Sequence, residues 1–261
     1  MKALQIAATG MMAQQLNVEV ISHNIANMRT TGYKRMRPEF QDLLYQNIRA
    51  PGASSSETGT TLPSGIQVGL GVKTASTYRI MNQGDLTNTE KELDLAIRGE
   101  GFFQVQLPDG QTAYTRSGAF ALDASGQLVT QEGYLVEPSI TVPDNARQIS
   151  INASGEVQVL IDGQTAPQTV GTLELARFVN KAGLEAIGDN LFLETPASGT
   201  PTTGNPNGDG IGSLLQNFLE SSNVNAVSEI SDLIAAQRAY EMNARVISAA
   251  DEMMSATSNL R

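Results

Sequence analysis

Matching seven-residue apolar stripes occupy the two ends of this chain, and they constrain its fold more than any other feature. Leu4, Met11, Val18 and Ile25 fall on one helical line, with Ala7, Ala8 and Ile21 beside it. Near the other end Leu219, Ala226, Leu233, Tyr240, Ile247 and Met254 do the same, flanked by Ile230, Ile234 and Ala244. A seven-residue repeat keeps apolar side chains on one seam, so each segment needs a helical partner. Two such seams predict pairing with each other and with copies from neighbouring molecules. The stripes are also wide, since Met11 with Met12, Ala249 with Ala250 and Met253 with Met254 carry them past a single face. A two-helix hairpin would cover only one face of a final helix about 45 Å long. A shared intermolecular core is therefore the expected arrangement.

Between the stripes the chain reads as β-structure. The first helix is expected over residues 2 to 27, ending where Asn24, Asn27, Thr30, Thr31 and Gly32 supply turn chemistry. Residues 33–50 mix aromatic, apolar and charged side chains and read as extended or as a short helix. The stretch from Ala50 to Gly59 is small, polar and flexible in character. Ile66 to Val72 then alternates as a strand whose glycines predict close backbone approach. From residue 73 onward strand follows strand, with hairpin signals at Asp109-Gly110, Asp123 to Gly126, Asn152 to Gly155 and Asp162-Gly163. A partly open barrel or sandwich is expected there. Residues 196–210, rich in Gly, Pro, Thr and Asn, form a loop leading back to the final helix.

The formal net charge of −10 argues against a nucleic-acid binder, because phosphate contacts need clustered Lys and Arg. Charge is unevenly spread: residues 1–40 hold five basic and two acidic side chains, and residues 219–261 hold three basic and six acidic ones. Opposite signs favour association of the two ends, although each solvated pair contributes only a few tenths of a kcal/mol. The chain has no cysteine, which removes disulfides and thiolate metal sites. No apolar run approaches the length of a membrane span. Gln5, Gln14 and Gln15 interrupt the apolar start, so it reads as mature helix and not as a cleaved leader.

Catalytic and ligand constellations are weak. His23 is the sole histidine and reads as a packing or surface residue, since metal sites need several ligands and no Ser-His-Asp set is tied to it. Asn205 to Gly210 imitates half a calcium loop, but Gln216 stands where a bidentate Glu is wanted, so a turn is expected. Gly99-Glu100-Gly101 lacks the third glycine of a dinucleotide site and reads as a tight turn. Glu90 with Glu92 and Asp251 with Glu252 read as solvated faces. No enzymatic activity, cofactor or metal is expected.

Longer blocks carry a family resemblance. Asn17, Ser22-His23-Asn24-Ile25-Ala26-Asn27 and Thr31-Gly32-Tyr33-Lys34 resemble the N-terminal signature of bacterial flagellar rod and hook proteins. Gly84-Asp85-Leu86, Leu93 through Phe103 and Tyr114-Thr115-Arg116-Ser117-Gly118-Ala119-Phe120 are similar to that family's central block. Ser222-Asn223-Val224-Asn225 and Ala236 through Glu241 resemble its C-terminal signature. The likeness is greatest to the distal-rod branch. His23, where the family usually has asparagine, and Met28-Arg29 with a second threonine at Thr31 are small departures.

The resemblance implies a structural subunit of the flagellar basal body, a distal rod that polymerises into a straight tube. The tube would transmit torque across the periplasm and form part of the export channel. Hook and proximal rod subunits are the alternatives. Implied partners are further copies of the chain, proximal rod and hook subunits, the surrounding P-ring and L-ring proteins and the type III export apparatus, with export not requiring a cleaved leader. Nucleic acid and membrane insertion are not expected. The fold class expected is α+β and discontinuous: terminal α-helices in a coiled-coil-like pair around a central, mostly antiparallel β-domain. Residues 1–32 and 218–261 would form the helical domain and inner tube core, 33–72 a rod-type linker, and 73–217 the β-domain. The assembly interface is expected at Leu4, Met11, Val18, Ile25, Leu219, Ala226, Leu233, Tyr240, Ile247 and Met254. Family-motif residues are Asn17, Ser22, Asn24, Ile25, Ala26, Asn27, Gly32, Tyr33 and Lys34. Residues 51–71 are assigned to rod stiffness.

Overall fold

The structure is a computed structural model describing residues 2–49, 64–163, 166–208 and 210–259. The small, polar stretch from Ala50 to Gly59, with residues 60–63, lies outside the described residues, as does Asp209 of the calcium-like loop. The fold is α+β, with one helix near each end and antiparallel β-structure between them. The chain clusters into two compact units. One comprises Met1–Ile25, Met36–Tyr78 and Asn225–Arg261, and the other Ala26–Arg35 and Arg79–Val224.

In the first unit, helix α1 spans Lys2–Ala26 and helix α2 spans Ala226–Asn259. α1 stops where Thr30 donates both its backbone N–H and its hydroxyl to Asn27, at 3.1 Å each. α2 starts at a side-chain cap: Asn225 Oδ1 accepts from Val227 N and Ser228 N at 3.0 and 3.2 Å. Such a cap satisfies two of the orphan donors of a helix start and contributes about 1 kcal/mol. Between the helices in sequence runs a two-stranded ribbon. Met36–Asp42 pairs with Val72–Arg79, and Tyr45–Arg49 pairs antiparallel with Ile66–Gly69. Residues 33–50 are thus largely extended. The close approach expected of the ribbon glycines is realised at Gly71, whose φ is +118°. A Cβ there would stand 2.2 Å from Thr9 Oγ1 on α1.

The second unit is built on a nine-stranded antiparallel sheet. Phe102–Gln106 pairs with Thr112–Thr115 across the Asp109-Gly110 turn, and with Leu175–Arg177 and Leu135–Glu137 on its other edge. Consecutive Phe102 and Phe103 point to opposite faces, as the strand period of two requires. Phe103 joins Leu95, Ile97, Val105, Ala113 and Leu175 in the larger core, while Phe102 joins Tyr114, Ala176, Phe178 and Phe192 in a smaller one. Both faces of this sheet are therefore buried. The remaining hairpin signals also fall at turns: Asp123 to Gly126 joins Ala121–Leu122 to Leu128–Val129, and Asn152 to Gly155 joins Ala146–Ile151 to Glu156–Ile161.

Two short strands from the C-terminal part close this unit. Ser213–Gln216 pairs with Leu95–Arg98, and Phe218–Glu220 pairs with Leu86–Asn88. Leu219 is accordingly a strand residue opposite Thr87, and its expected place on the final helical line is corrected. Its seven-residue spacing to Ala226 is broken by Ser221 through Asn225, which are not helical. The compact units also divide the chain differently from the sequence boundaries. Residues 26–35 and 218–224 belong with the β-structure because their backbone bonds go there, as from Gly32 N to Glu220 O at 2.8 Å.

Candidate assembly surface

Two contacts define how α1 and α2 face each other. Asn24 Nδ2 donates to Glu229 Oε2 at 3.1 Å, and a Cβ on Gly10 would lie 3.0 Å from Asn243 Nδ2. The start of α2 meets the end of α1, so the pair is antiparallel. On α2 the most deeply buried positions are Glu229, Ala236 and Ala250. These follow a seven-residue line through Asn243, three residues on from the line of Ala226, Leu233, Tyr240, Ile247 and Met254. The latter are less covered: Ala226, Leu233 and Ile247 are half-buried, while Tyr240 and Met254 are exposed. On α1 Leu4, Met11, Val18 and Ile25 are all half-buried, and Ala7, Ala13, Val20, Ile21 and Asn24 are buried. The inward line was hidden because Glu, Ala, Asn and Ala do not read as an apolar stripe.

A second stripe on α2 stays uncovered. Ile230, Ile234, Met242, Val246 and Met253 are 45–61% exposed. Met12 on α1 is 71% exposed, and the ribbon adds Leu44, Tyr45, Ile48 and Ile66. Large apolar side chains left exposed in this number are unusual for a surface with no partner. The seven-residue spacing points to Ile230 and Ile234 as flanks of the seam and gives no sign of Met242 and Val246.

The family-motif residues run from α1 into the β-unit. Ser22, His23 and Ala26 are exposed, Asn17, Ile25 and Asn27 are half-buried, and Asn24, Gly32, Tyr33 and Lys34 are buried. Gly32 has φ +70°, and a Cβ there would stand 2.8 Å from Ser117 N. In the β-unit, Lys34 reaches a fully buried carboxylate, Glu220, which the sequence did not reveal. Lys34 Nζ lies 2.5 Å from Glu220 Oε1, and Arg116 Nε lies 2.6 Å from Oε2. Gly84 N donates a third bond to this carboxylate at 2.9 Å. Two cations share one anion, and backbone carbonyls accept further bonds from both. Arg116 bonds the carbonyls of Gly101, Gly99 and Ile97, and Lys34 bonds that of Asn82. This explains the Gly99-Glu100-Gly101 turn, which presents two carbonyls to one guanidinium. Burial pulls the Lys34 ammonium below its ordinary pKa, and Glu220 opposes that shift.

Asn223 ties the same region together. Its Oδ1 accepts from Arg35 N at 2.7 Å, and its Nδ2 donates to the carbonyls of Ile80 and Asn82. The three signature blocks therefore converge through Lys34, Arg116, Glu220 and Asn223, as internal framework.

The comparisons with known proteins follow this division. Residues 4–34 match the flagella basal body rod protein family, 96–159 the flagellar hook protein FlgE/F/G D1 domain, and 215–260 the flagellar basal body rod FlgEFG protein C-terminal family. The flagellar basal-body rod protein FlgG of Caulobacter vibrioides is 61% identical over 261 residues, covering 100% of both chains. The chain belongs to the flagellar basal-body rod family. FlgG of Buchnera aphidicola from Acyrthosiphon pisum is 50% identical over 258 residues, 99% of each chain. FlgG of Bacillus subtilis is 37% identical over 266 residues, covering 100% of this chain and 99% of its own. Within the rod and hook family the similarity is to the distal rod protein, and the chain is a structural component of the flagellar basal body. Among its described residues no helix is long and apolar enough to cross a membrane.

Proposed function

We propose that this rod-family chain is a non-enzymatic subunit that polymerises into a straight helical tube spanning the periplasm. The tube transmits torque and encloses part of the export channel. The observation that carries this reading is the uncovered apolar stripe of α2, Ile230, Ile234, Met242, Val246 and Met253, on a helix whose inner seam is already occupied by α1. A head-to-tail contact between different patches generates an open filament when its rotation does not close. The terminal helices form the inner tube core. Export proceeds through the type III apparatus, and the neighbours are proximal rod, hook, P-ring and L-ring proteins.

Electron microscopy of the purified chain tests the proposal. Straight tubes are expected, and Ile234→Asp or Val246→Asp should abolish them while circular dichroism stays unchanged. Leu233→Asp and Ile247→Asp act on the inner seam and should abolish them with some loss of helix. Tubes from all four variants would refute the reading. A hook or proximal rod subunit is the alternative, since the domain matched over residues 96–159 is common to hook and rod members. Bent tubes would select the hook. Residues 51–71 are assigned to stiffness: deleting Ser54 to Gly65 should leave the β-unit folded and the tubes flexible, and tubes of unchanged stiffness would refute that assignment.

A further inference from the structure

We infer that Asn24 and Glu229 act together as a register lock, selecting one of several ways in which α1 and α2 could pair. The need for a lock follows from the repeat itself. A seam built every seven residues can slide by seven and still present apolar residues to apolar residues. Leu4, Met11, Val18 and Ile25 would meet the line of Leu233, Tyr240, Ile247 and Met254 in more than one register. The inward line of α2 is equally permissive, because Ala236 and Ala250 can face Ala3, Gly10 or Asn17 without a clash.

The observed pairing is a single register. Going from Gly10 to Asn24 along α1 covers the same two heptads as going back from Asn243 to Glu229 along α2, so both contacts belong to one antiparallel alignment. It sets Asn17 opposite Ala236 and Ala3 opposite Ala250.

The Asn24 side chain is committed three ways. Its Oδ1 accepts from Met36 N at 2.9 Å, and its Nδ2 donates to Met36 O at 2.9 Å and to Glu229 Oε2 at 3.1 Å. Asn24 is 1% exposed and Glu229 0% exposed. Sliding one heptad in one direction leaves Asn24 against Ala236 and carries Glu229 past the end of α1. Sliding the other way brings Glu229 to Asn17, which lies inside the helix, away from the strand beginning at Met36. Either slip strips a buried carboxylate or amide of bonds available only in the observed register. A polar group inside an apolar seam is the best attested device for fixing register. The two residues are positioning residues, and their value lies in discrimination, since replacing a buried polar pair by apolar side chains is often neutral or stabilising.

The cysteine-free chain makes the test direct. Asn243→Cys is combined in the full chain with Gly10→Cys for the observed register, or with Ala3→Cys or Asn17→Cys for a slip of one heptad each way. Dilute monomer is then oxidised mildly and the intramolecular disulfide read as a gel shift. In the parent background the 10–243 pair should outrun the other two by at least about ten-fold, as expected of a register fixed by a buried polar contact. In the Asn24→Leu/Glu229→Leu background the three yields should converge, with helix content retained and Tm unchanged or raised. Comparable yields for all three pairs in the parent, or exclusive 10–243 cross-linking in the leucine background, would overturn the inference. So would loss of helix content in the leucine variant, which would make the pair a determinant of stability instead.

Discussion

Lys34 and Glu220 are 186 residues apart in the chain and 2.5 Å apart in the fold. Arg116 reaches the same carboxylate from 104 residues away. The β-unit is thus completed by residues from beyond both of its sequence limits, through one buried anion. The carbonyls of Ile97, Gly99 and Gly101 around Arg116, and that of Asn82 at Lys34, supply the negative ends of dipoles that stabilise the two cations.

Removing that anion should be the most damaging single charge change in the unit. Glu220→Gln leaves two buried cations without a counter-ion, and a broken buried pair costs about 3–5 kcal/mol. Lys34→Met should cost less, because Arg116 still holds Glu220 and the methionine avoids the burial penalty on the ammonium. Urea denaturation followed by tyrosine fluorescence distinguishes the two. A larger loss for Lys34→Met would invert the assignment.

The order in which the chain becomes available should matter as well. A chain ending after Gly212 lacks the strands Ser213–Gln216 and Phe218–Glu220, together with buried Leu214. It should be digested throughout by a dilute protease, whereas a chain ending after Asn225 should leave a resistant β-core. Equal resistance of the two would show that the larger core closes without its C-terminal strands.

Gly118 is predicted to reject even a methyl group. A Cβ there would stand 1.7 Å from Leu95 O, and the Gly118 carbonyl accepts from Leu95 N at 2.9 Å. Gly118→Ala must separate these segments and should destabilise by about 3 kcal/mol or more. Gly133→Ala meets nothing within 4 Å and has φ +89°, so it should cost only the conformational term of about 1 kcal/mol. Similar thermal shifts for both would refute the argument from close approach.

Alkaline titration should single out Tyr114. Burial, then Glu194 and Glu137, push its phenol from 10.0 up to about 12. A raised folded pKa means the stability associated with the neutral phenol is complete below pH 10 and lost as pH rises through about 12. Lys34 runs the other way: its folded pKa is lowered, so stability rises with pH between its folded pKa and 10.5 and does not depend on this group below the folded value. Ultraviolet difference spectra should show a tyrosinate forming near pH 12 that is absent in Tyr114→Phe, beyond the later ionisation that the Asp42 hydrogen bond gives Tyr45. If that variant keeps the late step, another of the six tyrosines carries it.

The sequence alone determined what depends on neighbours along the chain. Heptad spacing located both helices, Asp-Gly and Asn-x-x-Gly located hairpin turns, and ordered motif blocks identified the family. Each of these signals is local, because a helix cap, a turn or a strand period involves only a few consecutive residues. Tertiary structure decided which face meets what. Leu219 continued the spacing of the last stripe but was drawn into a strand by Thr87, and the true inward line of α2 proved to be Glu229, Ala236, Asn243 and Ala250. Lys34, Arg116 and Asn223 were legible as motif letters, while their convergence on Glu220 was not. A buried charge and a solvated one are written with the same letter, and only the fold brings a residue's distant partners close enough to tell them apart.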